Sequence, residues 1–524
     1  MTFVNENTYR RFRSEGREEE FHAQYEKAME NARHSLGSTH PLYIGGKSRQ
    51  SKDGVFEVLS PQNREMLIGR FQKGSGKDAA DAIQAAHEAF SAWRHEDYRK
   101  RVSIVNAAAE IAAHRKFDIA AMMTLENGKN RFEAMGDADE GIDFMRYYGE
   151  LITNNRGYTT EMGRSGPSDD NRSVMKPYGV WGVIAPFNFP FAIACGMTTG
   201  AIVTGNTAVL KPSSATPMMS LMLYEIYREA GLPDGVLNYV TGPGSAVGRE
   251  MARNDLVRGI VFTGSREVGL KLSREFNSGN FKPFISEMGG KNVVIVTEHA
   301  NMEKAVAGTA LAAFGFGGQK CSAASRAIVH RSIKEEFTKR LVEYTKKLST
   351  GDPAERGTFL GPVIDKGALS KYEQAVLDAR ESGQVLTGGN VLKMDALAKG
   401  YFVEPTIVDA LPADHRLLSE ELFLPILALA EYRSFDEAIE FANSVDYGLT
   451  AGIFSDDREE LNRFFERVEA GVCYANKATG ATTAAMVGSQ PFVGWKMSGS
   501  TGKGAGGMYY LLQFMREQTN SVFG

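Results

Sequence analysis

Tyr178-Gly179-Val180-Trp181-Gly182-Val183-Ile184-Ala185 opens the most regular part of the chain. Its apolar run, Val180 to Ala185, is followed by four more of strand length: Thr207 to Leu210, Val236 to Val240, Gly259 to Thr263 and Asn292 to Val296. Helix-like segments stand between them, such as Met218 to Ala230, which Gly231 and Pro233 bring to a stop. Strand, helix, strand repeated in this way specifies an α/β fold, a parallel sheet with helices on its faces. Such sheets bind dinucleotides at the carboxyl ends of their strands. The residues that follow each strand are therefore the first candidates for function.

No G-x-G-x-x-G follows a strand here, but other segments do. Phe262-Thr263-Gly264-Ser265-Arg266-Glu267 leaves a strand and opens a helix, where unpaired backbone amides can hold a pyrophosphate. An ordinary N-cap by Thr263 or Ser265 explains the same residues. Lys211-Pro212-Ser213-Ser214 ends another strand. Farther on, Phe314-Gly315-Phe316-Gly317-Gly318-Gln319-Lys320-Cys321-Ser322-Ala323 places a thiol after a glycine-rich loop. A nucleophilic cysteine reacts as thiolate, so exposed amides or a helix start are expected beside it. Taken singly, Cys321 reads equally as a buried inert thiol, Glu287 as a surface carboxylate and Asn188 as a turn former.

The 524 residues are too many for one ordinary core. A hydrophobic share of 43 % with 24 % charged residues excludes a disordered chain. The formal net charge of −4 gives no electrostatic reason for a nucleic acid or an anionic membrane as partner. Three cysteines, Cys195, Cys321 and Cys473, make no disulfide framework and suit a reducing compartment, so the cytoplasm is the expected location. Met1 to Glu20 lacks the apolar segment of a secretory signal, and no run of eighteen apolar residues occurs. No Cys, His or carboxylate cluster has metal-site spacing, and no metal is expected in the chemistry.

Residues 1–40 are polar and helical in pattern and are expected to pack along the outside of the main body. Pro41 to Gly46 and Ser60 to Asn63 read as the turns of a hairpin region. Ile83, Ala86, Phe90 and Trp93 recur at helical spacing, and helical patterns continue from Arg101 to Tyr148. Gly74-Ser75-Gly76-Lys77 lacks the first glycine and the hydroxyl of a P-loop. Leu151 to Asn171 is polar and glycine-rich and leads into an extended segment, Ser173 to Pro177.

Ala185-Pro186-Phe187-Asn188-Phe189-Pro190, Ser286-Glu287-Met288-Gly289-Gly290-Lys291 and Gly318-Gln319-Lys320-Cys321 together resemble the aldehyde dehydrogenase family. The resemblance runs from about Pro41 to the C-terminal end. It implies a Rossmann-like cofactor domain (residues 41–152 and 174–286), an α/β catalytic domain (287–490) and a β oligomerisation arm (153–173 and 498–524), with residues 1–40 as a helical extension. Cys321 is then the nucleophile, Glu287 the base for a hydrolytic water, and Asn188 a donor to the oxyanion. Cofactor residues carried over are Ala185, Pro186, Phe187, Lys211, Ser213, Ser214, Gly264, Ser265, Glu421 and Phe423. NAD is the expected cofactor, with NADP left open because Ser214 stands where many NAD-specific relatives carry glutamate. Leu424 replaces a usual glycine beside Phe423. A homodimer or higher homo-oligomer follows from the arm.

Among family branches, Ala313 to Ala323 and Thr479-Gly480-Ala481 look most similar to the 1-pyrroline-5-carboxylate dehydrogenases. That branch implies a substrate clamp of Ser322, Gly480 and Ala481 with aromatic walls Phe189 and Phe492. Thr482 to Ala485 look inserted, and Val493 stands where a glycine is expected. The expected reaction is NAD(P)-dependent oxidation of an aldehyde, glutamate γ-semialdehyde foremost, to the free acid through a cysteine thioester. Another aliphatic or aromatic aldehyde is the alternative, and a binding protein of the same fold without turnover is a third reading.

Overall fold

The structure, a computed structural model, describes residues 3–478 and 486–524. Two seven-stranded sheets organise it. In the first, Phe284–Glu287, Val257–Thr263, Val180–Ile184, Thr207–Lys211 and Leu237–Tyr239 run parallel in that spatial order. The hairpin Leu42–Ile44 and Lys47–Arg49 continues it antiparallel. Helices Gly76–Trp93, Ala192–Val203, Pro217–Glu229 and Arg266–Phe276 accompany it.

The second sheet is ordered Gln384–Thr387, Thr406–Asp409, Ile426–Tyr432, Ala324–His330, Asn292–Val296, Thr450–Phe454 and Val472–Ala475. All but the first strand are parallel. Asn292–Val296 thus lies in this sheet, although it follows the rhythm of the first. The remaining parallel strand of the first sheet is Phe284–Glu287, whose Ser286 and Glu287 hide it from an apolar-run reading.

A third sheet pairs Met515–Val522 with Asp170–Pro177 over eight antiparallel positions, and Thr159–Glu161 completes it. One strand therefore runs across the 173/174 boundary expected from the sequence.

The helical pattern after Arg101 is two helices, Tyr98–Asn127 and Arg131–Asn154. The break falls at Gly128, left-handed with φ +78°, and Asn130 caps the second helix by accepting the Phe132 and Glu133 amides. Ser75 and Asp78 form a capping box on helix Gly76–Trp93, which accounts for the glycine-rich turn there. The N-terminal extension is more deeply embedded than its polarity suggests. Phe21 and Tyr25 of helix Glu18–His34 are fully buried, and the Tyr25 hydroxyl donates to Thr124 at 2.6 Å.

Candidate active site

The register of the first sheet sets its strand ends side by side: Glu287 opposite Thr263, Phe262 opposite Ile184, and Ile184 opposite Lys211. Ala185, Lys211, Gly264 and Ser265 follow directly on that edge. The Ala185 amide donates to the Lys211 carbonyl, and the Gly264 amide to the Glu287 carbonyl. Ser265 is the N-cap of helix Arg266–Phe276, its hydroxyl accepting the Val268 amide and its carbonyl the Gly269 amide. Lys211 is buried, its ammonium donates to the Pro212 carbonyl, and burial brings its pKa down to about 8. Ser213 accepts the Ala215 amide, while Ser214 is exposed beside it.

Cys321 follows the C-terminal end of helix Met302–Phe314 and one 3₁₀ turn, Gly315–Gly318. Phe316, at φ 50°, and Gly317, at φ 61°, are left-handed. Gly318, at φ +68°, passes so close to the Leu424 carbonyl that a Cβ would stand 2.3 Å from it. Of the two settings expected beside the thiol, exposed amides or a helix start, the chain shows a glycine-rich turn rather than a helix start. A helix C-terminus presents carbonyls, which disfavour an anion. Burial pushes the thiol well above its ordinary range, the nearby Glu421 and Glu287 carboxyls add to it, and a backbone hydrogen bond from Ser322 opposes them. On balance these surroundings favour the neutral thiol over the thiolate.

Cys321 opens into an apolar cavity of about 660 Å³ including its mouth. Ser322, Phe189 and Phe492 share the wall, with Phe144, Met197, Val261 and Tyr510. Glu287, at the end of its strand, reaches the same cavity and accepts the Gly494 amide at 3.0 Å. Burial raises its pKa well above the carboxylate range, with the Gly494 hydrogen bond opposing. Glu140, which sequence reading passed over, is a further carboxyl in the wall. Among the described residues one of its oxygens has no partner, and burial and Asp137 raise its pKa far up. A single glutamate on a helix with acidic residues on several faces carries no signal until packing selects one face.

Beneath Phe189, the Lys129 ammonium lies 3.5 Å from the ring centroid and pairs with Asp137 at 2.6 Å, both fully buried. Lys320, beside the nucleophile, pairs with Glu133 at 2.8 Å. These two lysines brace the aromatic wall and the thiol loop on helix Arg131–Asn154, and neither was singled out in the sequence.

Asn188 is buried between Phe187 and Phe189 but is not part of the cavity wall. Among the described residues, no hydrogen bond joins its side chain to Cys321. Glu421 accepts the Gly290 amide at 2.9 Å, and burial raises its pKa to about 7. It lies so close to Gly289 that a Cβ there would stand 1.8 Å from a carboxylate oxygen. Phe423 is left-handed at φ 63° and meets the Phe187 ring edge-on at 5.7 Å, while Leu424 is buried among Val363, Tyr372 and Val376. Pro186 and Phe187 are half-buried next to that pair. Gly480 and Ala481 lie outside the described residues.

A half-buried thiol, a carboxyl of raised pKa in the same apolar cavity, and the carboxyl edge of a parallel sheet beside it are the parts of a covalent, nucleotide-dependent oxidation. The sequence pattern of the aldehyde dehydrogenase family matches residues 48–520. The chain is 40% identical over 503 residues to the 1-pyrroline-5-carboxylate dehydrogenase of Bacillus cereus, covering 95% of each. It is 41% identical over 500 residues to that of Geobacillus thermodenitrificans, covering 94% of this chain and 95% of that one. A solved 1-pyrroline-5-carboxylate dehydrogenase from Thermus with bound NAD is similar at TM-score 0.93 and 35% identity, over 100% of this chain and 99% of that one. With its family pattern running through both sheets and the cavity between them, this chain belongs to the aldehyde dehydrogenase family.

Proposed function

We propose that the protein oxidises L-glutamate γ-semialdehyde, the open form of 1-pyrroline-5-carboxylate, to glutamate with NAD as oxidant, the step that completes proline breakdown. The observation that carries this is Cys321 and Glu287 facing one apolar cavity, in a chain similar along its whole length to 1-pyrroline-5-carboxylate dehydrogenases.

The residues at the sheet edge fit a dinucleotide. The first-turn amides of helix Arg266–Phe276 suit its pyrophosphate, Lys211 and Ser214 its adenosine ribose, and Glu421 and Phe423 its nicotinamide end. When bound there, NAD supplies the two-electron oxidant. The Cys321 thiol gives up its proton to solvent and Sγ adds to the aldehyde carbon, while the electron pair of the C=O bond moves onto oxygen, where the Cys321 amide and the Asn188 side chain serve the developing oxyanion. Loss of the carbon's hydrogen with its electron pair re-forms the carbonyl as a thioester on Cys321. Glu287 then takes a proton from water as the oxygen adds to that carbon. The C–S bond breaks, and acid and thiol are released. A carboxyl of raised pKa is the stronger base once ionised, which suits this role. Ser322, Gly480 and Ala481 are assigned to the carboxylate end of the substrate. Glu140, with an oxygen in the wall that is unpartnered among the described residues, is assigned to its ammonium.

The domain division and the cytoplasmic, homo-oligomeric state belong to the same proposal. Three unpaired cysteines support a reducing compartment, and among the described residues no helix is long and apolar enough to cross a membrane. Met515–Val522 is an exposed edge strand, the kind of element that pairs with a second copy. Size-exclusion chromatography with light scattering checks the oligomer. The activity is tested by kcat/KM for 1-pyrroline-5-carboxylate against small aliphatic and aromatic aldehydes, with Cys321→Ala as control. A clear preference for the pyrroline substrate is the expected outcome, and a preference for tail-less aldehydes would overturn the substrate assignment.

A further inference from the structure

Helix Arg131–Asn154 serves two neighbours. Glu140 and Phe144 face the cavity, while Asp139 and Asp143, each one residue earlier and so turned about 100° around the helix, face the N-terminal segment. The Thr8 amide and hydroxyl donate to the two oxygens of Asp139, both at 2.7 Å. The Glu6 amide and the Asn5 side-chain amide donate to the two oxygens of Asp143 at 2.9 and 3.0 Å. Glu6 is itself held by Lys116 and Arg146.

Asn5 also reaches across the molecule. Its amide donates to the Val487 carbonyl, 482 positions away, at 2.9 Å, and its carbonyl oxygen accepts the Ser489 hydroxyl at 3.2 Å. Phe3 packs edge-on against Tyr147 at 5.1 Å, and both rings lie 3.1 Å from where a Cβ on Gly488 would stand. Residues 487–489 lead toward Phe492 of the cavity wall.

We propose that residues 3–8 form a positioning strap, in which Asn5 ties the segment Met486–Gln490 to the pocket-lining helix and so sets the affinity for aldehydes with an amino acid tail. The inference rests on the proposed reading, in which the loop preceding this segment grips that tail. The strap acts through the segment it holds. It touches neither nucleophile nor cofactor edge, so its loss affects the tailed substrate alone.

The test compares wild type, Asn5→Ala, Ser489→Ala and the double variant for KM and kcat with 1-pyrroline-5-carboxylate, propanal and NAD, beside thermal unfolding. Asn5→Ala, which removes the three hydrogen bonds to Asp143, Val487 and Ser489, is expected to raise KM for the pyrroline substrate about tenfold. KM for propanal and NAD stays within about twofold on the same argument. Ser489→Ala is expected to do less, and the double variant to add little to Asn5→Ala. Parallel changes in all three KM values with a lowered Tm would overturn the strap as a specificity element, and so would an unchanged KM for the pyrroline substrate. Wild type that favours propanal would instead overturn the substrate reading, before any variant is made.

Discussion

The two seven-stranded sheets present opposite ends to the same cleft. In the first, the carboxyl ends of the strands are there, and helices Pro217–Glu229 and Arg266–Phe276 begin there. In the second, the amino ends are there: Cys321 precedes Ala324–His330, Glu421 precedes Ile426–Tyr432, and helix Met302–Phe314 ends in the turn that leads to Cys321. The first edge therefore offers amides and the positive ends of helix dipoles, the second carbonyls and the negative end. By that polarity the first edge suits phosphates, and the second does not favour a thiolate. The chain crosses from one edge to the other at Glu287 to Asn292, so Glu287 belongs to both.

This division predicts that chemistry and nucleotide binding separate under mutation. Cys321→Ala is expected to reduce turnover about 10,000-fold or more, since no other group forms the thioester. NAD affinity measured by calorimetry should stay within about threefold of wild type on the same view of independent sites. A joint loss of both would break the division. Glu287→Gln tests the crossing point, with a smaller expected fall of about 100- to 10,000-fold in steady-state rate. A rapid burst of about one NADH per subunit should precede the slow phase, because acylation survives and deacylation does not. Loss of the burst would move Glu287 to the first half of the reaction.

The first edge was legible in the sequence and the second only in part. Apolar runs such as Val180–Ile184 and Thr207–Lys211 declare themselves by period and length, and the residues after them follow. Phe284–Glu287 escaped because its last two residues, Ser286 and Glu287, are polar and break the apolar run. Cys321 was found from its motif, but its helix C-terminal setting depends on where Met302–Phe314 stops, and glycines 315, 317 and 318 do not say that. Glu140 and the Lys129–Asp137 pair needed the rotation of a helix about its axis, which a helix charged on several faces does not reveal. The strap at Asn5 depends on contacts 482 positions apart, beyond any local pattern.

The thiol's setting is sharpened by pH. A raised thiol pKa means that the neutral form dominates near pH 7 and that the thiolate fraction grows as pH rises. In the cofactor-free enzyme, iodoacetamide alkylation of Cys321, read by intact mass, should quicken about tenfold per pH unit between about pH 7 and pH 9 without a plateau. Cys321→Ala supplies the background from Cys195 and Cys473. A plateau near neutrality would mean that the second edge stabilises an anion after all, and the contrast between the sheets would fall.

The smallest effect probes the first edge alone. Ser214 is exposed three positions after the strand end Lys211 and just ahead of helix Pro217–Glu229. A carboxylate there would accept hydrogen bonds from two ribose hydroxyls and repel a 2′-phosphate, whereas the serine can donate to either. Wild type should therefore use both NAD and NADP, and Ser214→Glu should lower kcat/KM for NADP about tenfold while leaving that for NAD within about threefold. The mutation does not touch the cavity, so pyrroline-5-carboxylate KM at saturating NAD should not move. Equal losses with both nucleotides would make Ser214 a structural position, and no change with either would place the adenosine ribose away from the Lys211 strand end.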